Sequence, residues 1–313
     1  MKSSSAEQIR PLLKKNGLTV LITDSGLGGL SICASLAGHF KARPLVPQVS
    51  LVYYNAWPDQ HRGYNSLAGD AERMEAFHQA LAGMERFNPD LILIACNTLS
   101  VLYPHTLFSR TAELPVVDII DFGTELIGAA LAAHPGQRAL ILGTVTTIRS
   151  GEHVQRLVSQ GVDGARLITQ PCDQLATEIE MGPGSPRTFA LVDKYMAQAA
   201  RQVESRSGDI CAALCCTHFG YCRELIHQRL AAHLPGRRIT MLNPNEGMAG
   251  LFLKHEAFQP VAETRVTIRV VSKIRWARQR IQSIGNALAP VSPETVNALE
   301  AYEYIPDLFE FEI

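Results

Sequence analysis

The sequence predicts an α/β protein built from two doubly wound parallel-sheet domains of similar topology, with the active site in the cleft between them. Short apolar runs alternate with longer amphipathic stretches along nearly the whole chain, which is the rhythm of βαβ units. The length of 313 residues exceeds what one small core usually holds, so two domains are the first expectation. Two loops that follow apolar runs also share a cysteine followed by threonine or asparagine-threonine, an echo that indicates two related halves.

Eight short apolar runs are typical of strands, and the last three are apolar on both faces, as in a buried parallel sheet. In chain order they are LTVLITD, SLVYYN, LILIACN, VVDII, ALILGT, ARLITQ, ICAALC and RITML. The stretches that we expect to form crossover helices are 67–87, 122–134, 154–160, 189–205 and 224–233. Pro89 and Pro135 each follow one of these stretches. Because proline cannot continue a helix, both positions agree with the helix ends that the hydrophobic pattern predicts.

The expected first domain takes residues 17–114 plus a return at 238–287, and the expected second domain takes residues 115–237. After Ala287 the chain turns acidic and aromatic, so 288–313 is expected to be a C-terminal extension. Two possibilities are open for it: a helix that docks on the body of the protein, or one that docks on a partner. Ligands of doubly wound sheets bind at the carboxyl ends of the strands, so two such loops facing each other would enclose one site.

Composition argues against several classes of function. With 29 basic and 30 acidic residues, the formal net charge of −1 provides no field that would recruit nucleic acid or an anionic membrane. The N-terminus lacks an apolar signal region, and no run approaches the length of a membrane span, so we expect a cytoplasmic protein. The seven cysteines lack the spacing of a zinc ribbon or a disulfide framework, so no metal site is predicted, and zinc at the cysteine cluster 211–222 is only a minor alternative.

Three loops directly follow apolar strands and carry chemically useful side chains. They are Asp24-Ser25-Gly26-Leu27-Gly28-Gly29, Ala95-Cys96-Asn97-Thr98 and Cys216-Thr217-His218. The glycines let the backbone approach a ligand, and the helix start that follows offers amide donors to an anion such as a carboxylate. Their spacing does not match the dinucleotide fingerprint, and no phosphate-binding glycine-lysine-serine/threonine loop is present, so neither nicotinamide nor ATP is required.

Two of these loops place a cysteine at a strand end, which suggests paired thiols across a cleft. A thiolate at a helix start is stabilised by the helix dipole, so we expect it to act as a base near neutral pH. One base and one facing acid would make inversion at a carbon possible. Cys215 and Cys216 are adjacent, and because neighbouring strand residues point to opposite faces, only one of them should face the cleft. We favour Cys216, since it precedes threonine and histidine. The other cysteines are interpreted as packing residues; they are Cys33, Cys172, Cys211 and Cys222.

Three segments resemble the signature segments of glutamate racemases, in the same order and at similar separations. They are ITDSGLGGL, which ends at Leu30, IACNT, which ends at Thr98, and CTHF, which ends at Phe219. A fourth, GTVTTIRS, ends at Ser150 and resembles another segment of that family. The similarity extends from about Leu18 to about Ala287, and the chain therefore resembles the aspartate/glutamate racemase superfamily.

This resemblance implies that Cys96 and Cys216 are the two catalytic acid/base thiols, with Asp24, His218 and Glu180 assisting proton transfer. The implied contacts to the carboxylate and ammonium groups of the substrate are Ser25, Asn97, Thr98, Thr147 and Thr217. The resemblance further implies an isomerase that interconverts L- and D-glutamate without metal, pyridoxal phosphate or nucleotide. The implied role is D-glutamate supply for peptidoglycan, and a homodimer is expected by analogy.

The chain departs from the family pattern at residues 55–64, where the family has an aspartate-threonine and then a proline-tyrosine-glycine turn. A related acidic amino acid is therefore an alternative substrate. Other readings are a cysteine-dependent hydrolase or amidase that uses Cys216 and His218, and a non-catalytic ligand-binding member of the superfamily. A relative that uses one cysteine, as an isomerase or a decarboxylase, is less favoured because both cysteines are present.

Overall fold

The computed structural model describes residues 5–204, 208–254 and 261–311. Its strands are β1 Gly17–Asp24, β2 Gln48–Asn55, β3 Leu91–Ile94, β4 Val116–Asp118, β5 Arg138–Gly143, β6 Leu167–Pro171, β7 Ile210–Cys215, β8 Ile239–Leu242, β9 Arg265–Ser272 and β10 Glu303–Tyr304. Parts of the predicted elements lie outside the described residues, namely residue 205, residues 255–260 and residues 312–313.

The α-helices accompany the strands in alternation, as the periodicity predicts. They are α1 Ser5–Ile9, α2 Leu30–Ala42, α3 Asp70–Met84, α4 Asn97–Leu102, α5 Phe108–Thr111, α6 Ile119–Ala133, α7 Val145–Ser150, α8 Glu152–Ser159, α9 Leu175–Met181, α10 Pro186–Glu204, α11 Arg223–His233, α12 Pro244–Ala249, α13 Arg278–Leu288 and α14 Pro293–Glu300. Short 3-10 turns also occur, at Leu12–Lys14, Tyr64–Ser66, Glu85–Phe87, Tyr103–His105, Gly164–Arg166, Thr217–Cys222 and Leu251–Lys254.

The strands form two parallel sheets. The first has the order β10-β9-β2-β1-β3-β4 and the second the order β6-β5-β7-β8. If the strands of each half are counted from one, both sheets contain the order 2-1-3-4, which belongs to doubly wound folds. The prediction of two parallel-sheet α/β domains of similar topology is confirmed.

The chain divides into two compact units, one running to Asp118 and resuming at Met248, the other spanning Ile119–Gly247. The boundaries differ from the expected ones for a reason that lies in strand pairing. β4 belongs to the first unit because Val116 pairs with Ile92 of β3. The return to the first unit begins at Met248 rather than at 238, because β8 pairs with β7 of the second unit.

Helices cover both faces of the second sheet. One core cluster joins the sheet to α9, α10 and α11, and a separate cluster joins it to α6 and α8. Cys216 belongs to the first cluster and Cys215 to the second. The alternation of strand side chains therefore separates the two adjacent cysteines, as the sequence predicts.

The predicted C-terminal extension docks on the body of the first unit. α14 packs against α2 and β9, and β10 adds a short parallel strand beside β9. Beyond β10, Leu308 and Phe309 are buried. The docking of the chain end is close, because a Cβ atom added at Gly83 would lie 2.5 Å from the carbonyl oxygen of Leu308.

His153 on α8 is a buried titratable residue that is not among the predicted site residues. Its side chain is buried, and its Nε2 atom has no hydrogen-bond partner among the described residues. Burial, assisted by the charge of Arg156, lowers the pKa of His153 to about 4. The folded second unit therefore holds this imidazole in its neutral form at neutral pH.

The depressed pKa of His153 predicts acid sensitivity. In the unfolded chain His153 is protonated as pH falls through 6.5, whereas in the folded chain it is protonated only near pH 4. The contribution of the neutral imidazole to the free energy of unfolding is therefore complete above pH 6.5 and is lost as pH falls from 6.5 to 4. We expect the free energy of unfolding to fall by about 2–3 kcal/mol from this group between pH 7 and about pH 4.5. Urea titrations of wild type, His153→Gln and the exposed control His134→Gln measure it. An unaltered pH slope in His153→Gln would contradict the prediction.

Candidate active site

Each sheet carries one cysteine at the point where its strand order reverses. In the first unit Cys96 follows β3, and Asp24 ends the neighbouring β1. In the second unit Cys216 follows β7, and Thr144 follows the neighbouring β5. Ligands of doubly wound sheets bind at this position, since the helices leave in opposite directions and open a crevice. The two halves therefore place their cysteines at equivalent positions.

The Cys96 half-site is built on the loop after β1. The hydroxyl of Ser25 lies 3.2 Å from the Cys96 sulfur. The fully buried carboxylate of Asp24 accepts hydrogen bonds from the amides of Gly26, at 3.1 Å, and Gly29, at 2.7 Å. Gly29 is needed for close approach, because an added Cβ atom would lie 3.0 Å from that carboxylate. Asp24 thus stabilises the loop 24–29, and its carboxylate lies near the loop that carries Cys96.

Two β2 side chains that the sequence did not single out hold the same loop. The phenol of Tyr53 and the side-chain amide of Asn55 both donate to the carbonyl oxygen of Gly26, at 2.7 and 2.9 Å. The hydroxyl of Ser272, at the end of β9, donates to the Asn55 side chain at 3.0 Å. The position of Asn55 at a strand end was the one sequence signal for this role.

Burial raises the pKa of the Cys96 thiol, and the nearby Asp24 carboxylate raises it further. Hydrogen bonds from Ser25 and from the backbone of Leu99, at the start of α4, lower it but do not prevail. The expectation that the helix start would make this residue a thiolate near neutral pH is wrong, because burial outweighs the helix-start amides. The raised pKa favours the protonated thiol, which suits Cys96 to donate a proton.

Asn97 and Thr98 open α4 and are both buried. Neither the oxygen nor the nitrogen of the Asn97 carboxamide has a hydrogen-bond partner among the described residues. A buried polar group without a partner costs about 1–3 kcal/mol, so such a group at a strand-end crevice indicates a ligand.

Tyr64 is a further residue that the sequence analysis did not predict for the site. Its phenol is buried, and its hydroxyl has no hydrogen-bond partner among the described residues. Burial raises the pKa of this phenol well above its usual value, and the nearby Cys96 adds to the rise. Tyr64 therefore belongs to the surroundings of Cys96, although the sequence marks it only as part of the 55–64 departure.

The Cys216 half-site contains a relay of three buried side chains. The Cys216 sulfur lies 3.7 Å from Nδ1 of His218, and Nε2 of His218 lies 2.6 Å from Oε1 of Glu180. Burial opposes a charge on His218, but Glu180 and Cys216 together raise its pKa well above the usual value. The raised pKa favours the imidazolium form of His218, which can stabilise negative charge on the adjacent sulfur.

Two threonines that the sequence predicts as substrate contacts lie in the second unit. Thr147 on α7 is buried, and its hydroxyl accepts a hydrogen bond from Thr144 at 3.0 Å. Thr217 is also buried, and its carbonyl oxygen accepts from the side chain of Asn245 at 3.0 Å. Thr217 follows Cys216 directly, whereas Thr147 follows the neighbouring strand β5, so both lie near the carboxyl edge of the second sheet.

The cysteines outside the two half-sites behave as packing residues. All of them are buried free thiols, and burial raises the pKa of each; they are Cys33, Cys172, Cys211, Cys215 and Cys222. Within residues 5–204, 208–254 and 261–311, no group of three or more histidine, cysteine or acidic side chains could hold a metal ion. Among the helices of those same residues, none is both long and apolar enough to cross a bilayer.

Comparison with known proteins gives a consistent picture. No protein-family model matches the chain. The glutamate racemase of Campylobacter jejuni is 34% identical over 140 residues, which are 45% of this chain and 52% of that enzyme. The glutamate racemase of Leptospira interrogans is 25% identical over 213 residues, covering 68% of this chain and 75% of that enzyme. The first match thus spans about half the length of its relative.

A solved structure extends the likeness to the fold of nearly the whole chain. The crystal structure of glutamate racemase from Francisella tularensis in complex with D-glutamate superposes with a TM-score of 0.65 at 16% identity, covering 93% of this chain and 97% of that one. The chain is therefore similar in sequence to glutamate racemases and has the same fold. The resemblance predicted from the motifs is confirmed.

Proposed function

We propose that this protein is a cofactor-independent amino-acid racemase that interconverts L- and D-glutamate, or a related acidic amino acid, through Cys96 and Cys216. The observation that carries the proposal is that a buried cysteine with its own polar partners follows the equivalent strand of each sheet, Cys96 after β3 and Cys216 after β7. The names of the Campylobacter and Leptospira relatives support glutamate as substrate, as does the D-glutamate in the Francisella structure.

The proposed reaction balances without any cofactor. One cysteine, as a thiolate, takes the proton from the α-carbon and becomes a thiol, and the bonding electrons stay on the substrate as a carbanion. The other cysteine, as a thiol, gives its proton to the opposite face of that carbon and becomes a thiolate. The pair exchanges roles in the reverse direction. The reaction needs both sulfurs at one α-carbon. Replacing either cysteine therefore tests it.

The electrostatics of the two half-sites support opposite starting roles. Burial and Asp24 hold Cys96 as a thiol, whereas an imidazolium lies beside Cys216. We therefore assign Cys216 as the base and Cys96 as the acid in the unliganded protein. General acid-base catalysis of this kind contributes about 10²–10⁴-fold to the rate of a proton transfer.

The neutral side chains near the two cysteines are proposed to hold the substrate. Asn97 has both amide atoms available, so it can accept from an ammonium group and donate to a carboxylate. The others assigned to this task are Ser25, Thr98, Thr147 and Thr217. Neutral donors of this kind can hold the substrate carboxylate by hydrogen bonds.

The proposed setting follows from the proposed substrate. D-Glutamate is consumed in peptidoglycan synthesis, so supply of this amino acid to cell-wall assembly in the cytoplasm is the role that we propose. A homodimer is proposed by analogy with the family that the chain resembles. Sedimentation of the purified protein over a range of concentrations measures its assembly.

The deciding experiment is exchange of the α-proton in D₂O, followed by NMR, with L- and D-forms of acidic, basic and neutral amino acids. We expect deuterium incorporation with inversion for glutamate or another acidic amino acid, without added metal, pyridoxal phosphate or nucleotide. A well-folded protein that exchanges none of the panel would refute the racemase proposal. It would favour the hydrolase reading, in which Cys216 and His218 act as nucleophile and base.

A further inference from the structure

The segment 56–67 follows β2 and leads towards α3, and it brings Tyr64 to the Cys96 half-site. Tyr64 begins a 3-10 turn, and the side chain of Arg73 on α3 holds the backbone there by donating to the carbonyls of Tyr64, at 2.8 Å, and Leu67, at 3.0 Å. Trp57 packs on Gly63, where an added Cβ atom would meet the indole ring at 2.5 Å. The first half of the segment is neither helix nor strand, so contacts with other parts of the chain must fix it.

Gln60 provides a paired contact of this kind. Its side-chain nitrogen donates to the carbonyl oxygen of Arg275 at 2.9 Å, and its side-chain oxygen accepts from the amide of Arg275 at 2.8 Å. One carboxamide thus occupies both main-chain groups of a single residue. Such a pairing fixes the orientation of the segment as well as its distance from residue 275.

The strip 273–276, which receives Gln60, is itself held by the chain end. Lys273 donates to the carbonyl oxygen of Phe309 at 2.9 Å, and its ammonium lies 4.3 Å from the centre of the Phe309 ring. The guanidinium of Arg275 lies 3.9 Å from the centre of the Tyr304 ring. These are cation–π contacts, which remain favourable at partly exposed sites.

The chain end also contacts β2 directly. The phenol of Tyr54 donates to the carbonyl oxygen of Leu308 at 3.2 Å, and its ring lies 6.2 Å from that of Phe309. Tyr54 immediately precedes Asn55, the residue that holds the Gly26 carbonyl. The C-terminal extension therefore contacts the start of the route from β2 to Tyr64 directly, at Tyr54, and supports its middle, at Gln60, through the strip 273–276.

We propose that Gln60 is a positioning residue: through the main chain of Arg275 it holds segment 56–67, and with it Tyr64, at the Cys96 half-site. Because the C-terminal extension holds the strip 273–276, we expect it to influence substrate binding at this half-site. This inference rests on the proposed racemase function for its catalytic consequence. Its structural part, the fixing of segment 56–67, stands independently of any activity.

The test compares Gln60→Ala with Gln60→Glu and with a matched control, Gln79→Ala. Gln79 also uses its side-chain amide in a surface hydrogen bond, to Glu75 within α3, but does not contact the segment. We expect Gln60→Ala to raise KM for the best amino acid about tenfold, the size expected from losing two ordinary hydrogen bonds, with kcat changed less than about twofold. Gln60→Glu keeps the hydrogen-bond acceptor and loses the donor, so its KM should lie between the values of wild type and Gln60→Ala.

Amide hydrogen exchange of peptides covering 56–67 provides the readout that does not depend on catalysis. We expect faster exchange there in Gln60→Ala, wild-type exchange in Gln79→Ala, and thermal midpoints within about 2 °C of each other. Unchanged exchange in Gln60→Ala would overturn the positioning role, whether or not the protein is a racemase. Faster exchange with unchanged KM would overturn the link to substrate binding. A wild type that exchanges no amino-acid proton would refute the proposed function, while the exchange of 56–67 would still report on Gln60.

Discussion

Replacing either Cys96 or Cys216 by alanine is expected to lower racemisation by about 10³-fold or more, because a two-thiol reaction needs both a proton acceptor and a proton donor. Each variant is also expected to keep slow α-proton exchange, without inversion, for one enantiomer, and the two variants should favour opposite enantiomers. Circular dichroism of the amino acid measures inversion, and NMR in D₂O measures exchange.

Matched controls separate chemistry from packing in this experiment. Cys33→Ala removes a buried thiol from the first unit, and Cys172→Ala removes one from the same core cluster as Cys216. Both controls should retain activity near the wild-type level at similar stability. Full racemisation by Cys96→Ala would contradict the two-thiol reaction and favour a reaction that uses Cys216 alone.

Replacing Glu180 by glutamine is expected to shift the pH dependence of racemisation. Among the groups that raise the pKa of His218, the Glu180 carboxylate has the largest effect, and burial opposes it. Without that carboxylate, burial should lower the pKa, so the imidazolium is lost at a lower pH. In wild type, the part of the racemisation rate that depends on the His218 imidazolium should be lost only as pH rises through the raised pKa of His218. In Glu180→Gln the same loss should occur at a lower pH.

At neutral pH, Glu180→Gln and His218→Asn should each lower kcat/KM about 10²-fold. The loss should be equal in the two directions, because the equilibrium constant of a racemisation is unity. Only Glu180→Gln should recover as pH is lowered, since it retains the imidazole. Glu178→Gln, two residues earlier on α9, is the control, because Glu178 pairs with Arg187 instead. A pH profile of Glu180→Gln that matches wild type would show that Glu180 does not tune His218.

The sequence predicted most of the sheet architecture because buried parallel strands are apolar runs with clear ends. Where two elements share one apolar run, the predicted boundary is wrong: VVDII predicts a strand to Ile120, but the strand ends at Asp118 and α6 begins at Ile119. β9 lacks the continuous apolar run of the predicted strands, because its first five residues are exposed or half-buried and only its last three are buried.

The motif residues of the site were predictable, but their surroundings were not. Tyr53 and Asn55 reach Gly26 through contacts that no local pattern encodes. The protonation of Cys96 depends on burial, which a residue's neighbours in sequence do not reveal. Likewise, the assignment of β8 to the second unit follows from its pairing with β7.

The pairing of β2 with β9 has a consequence for how the protein is made. Ser272 and Asn55 are 217 residues apart in sequence, and the whole second unit is encoded between them. Contacts of such long range form slowly and require the distant segment to have left the ribosome. The second unit is continuous, so it can complete its sheet first. The loop beside Cys96 is therefore synthesised before the second unit, yet it gains its last hydrogen-bonded support only after the second unit has been made.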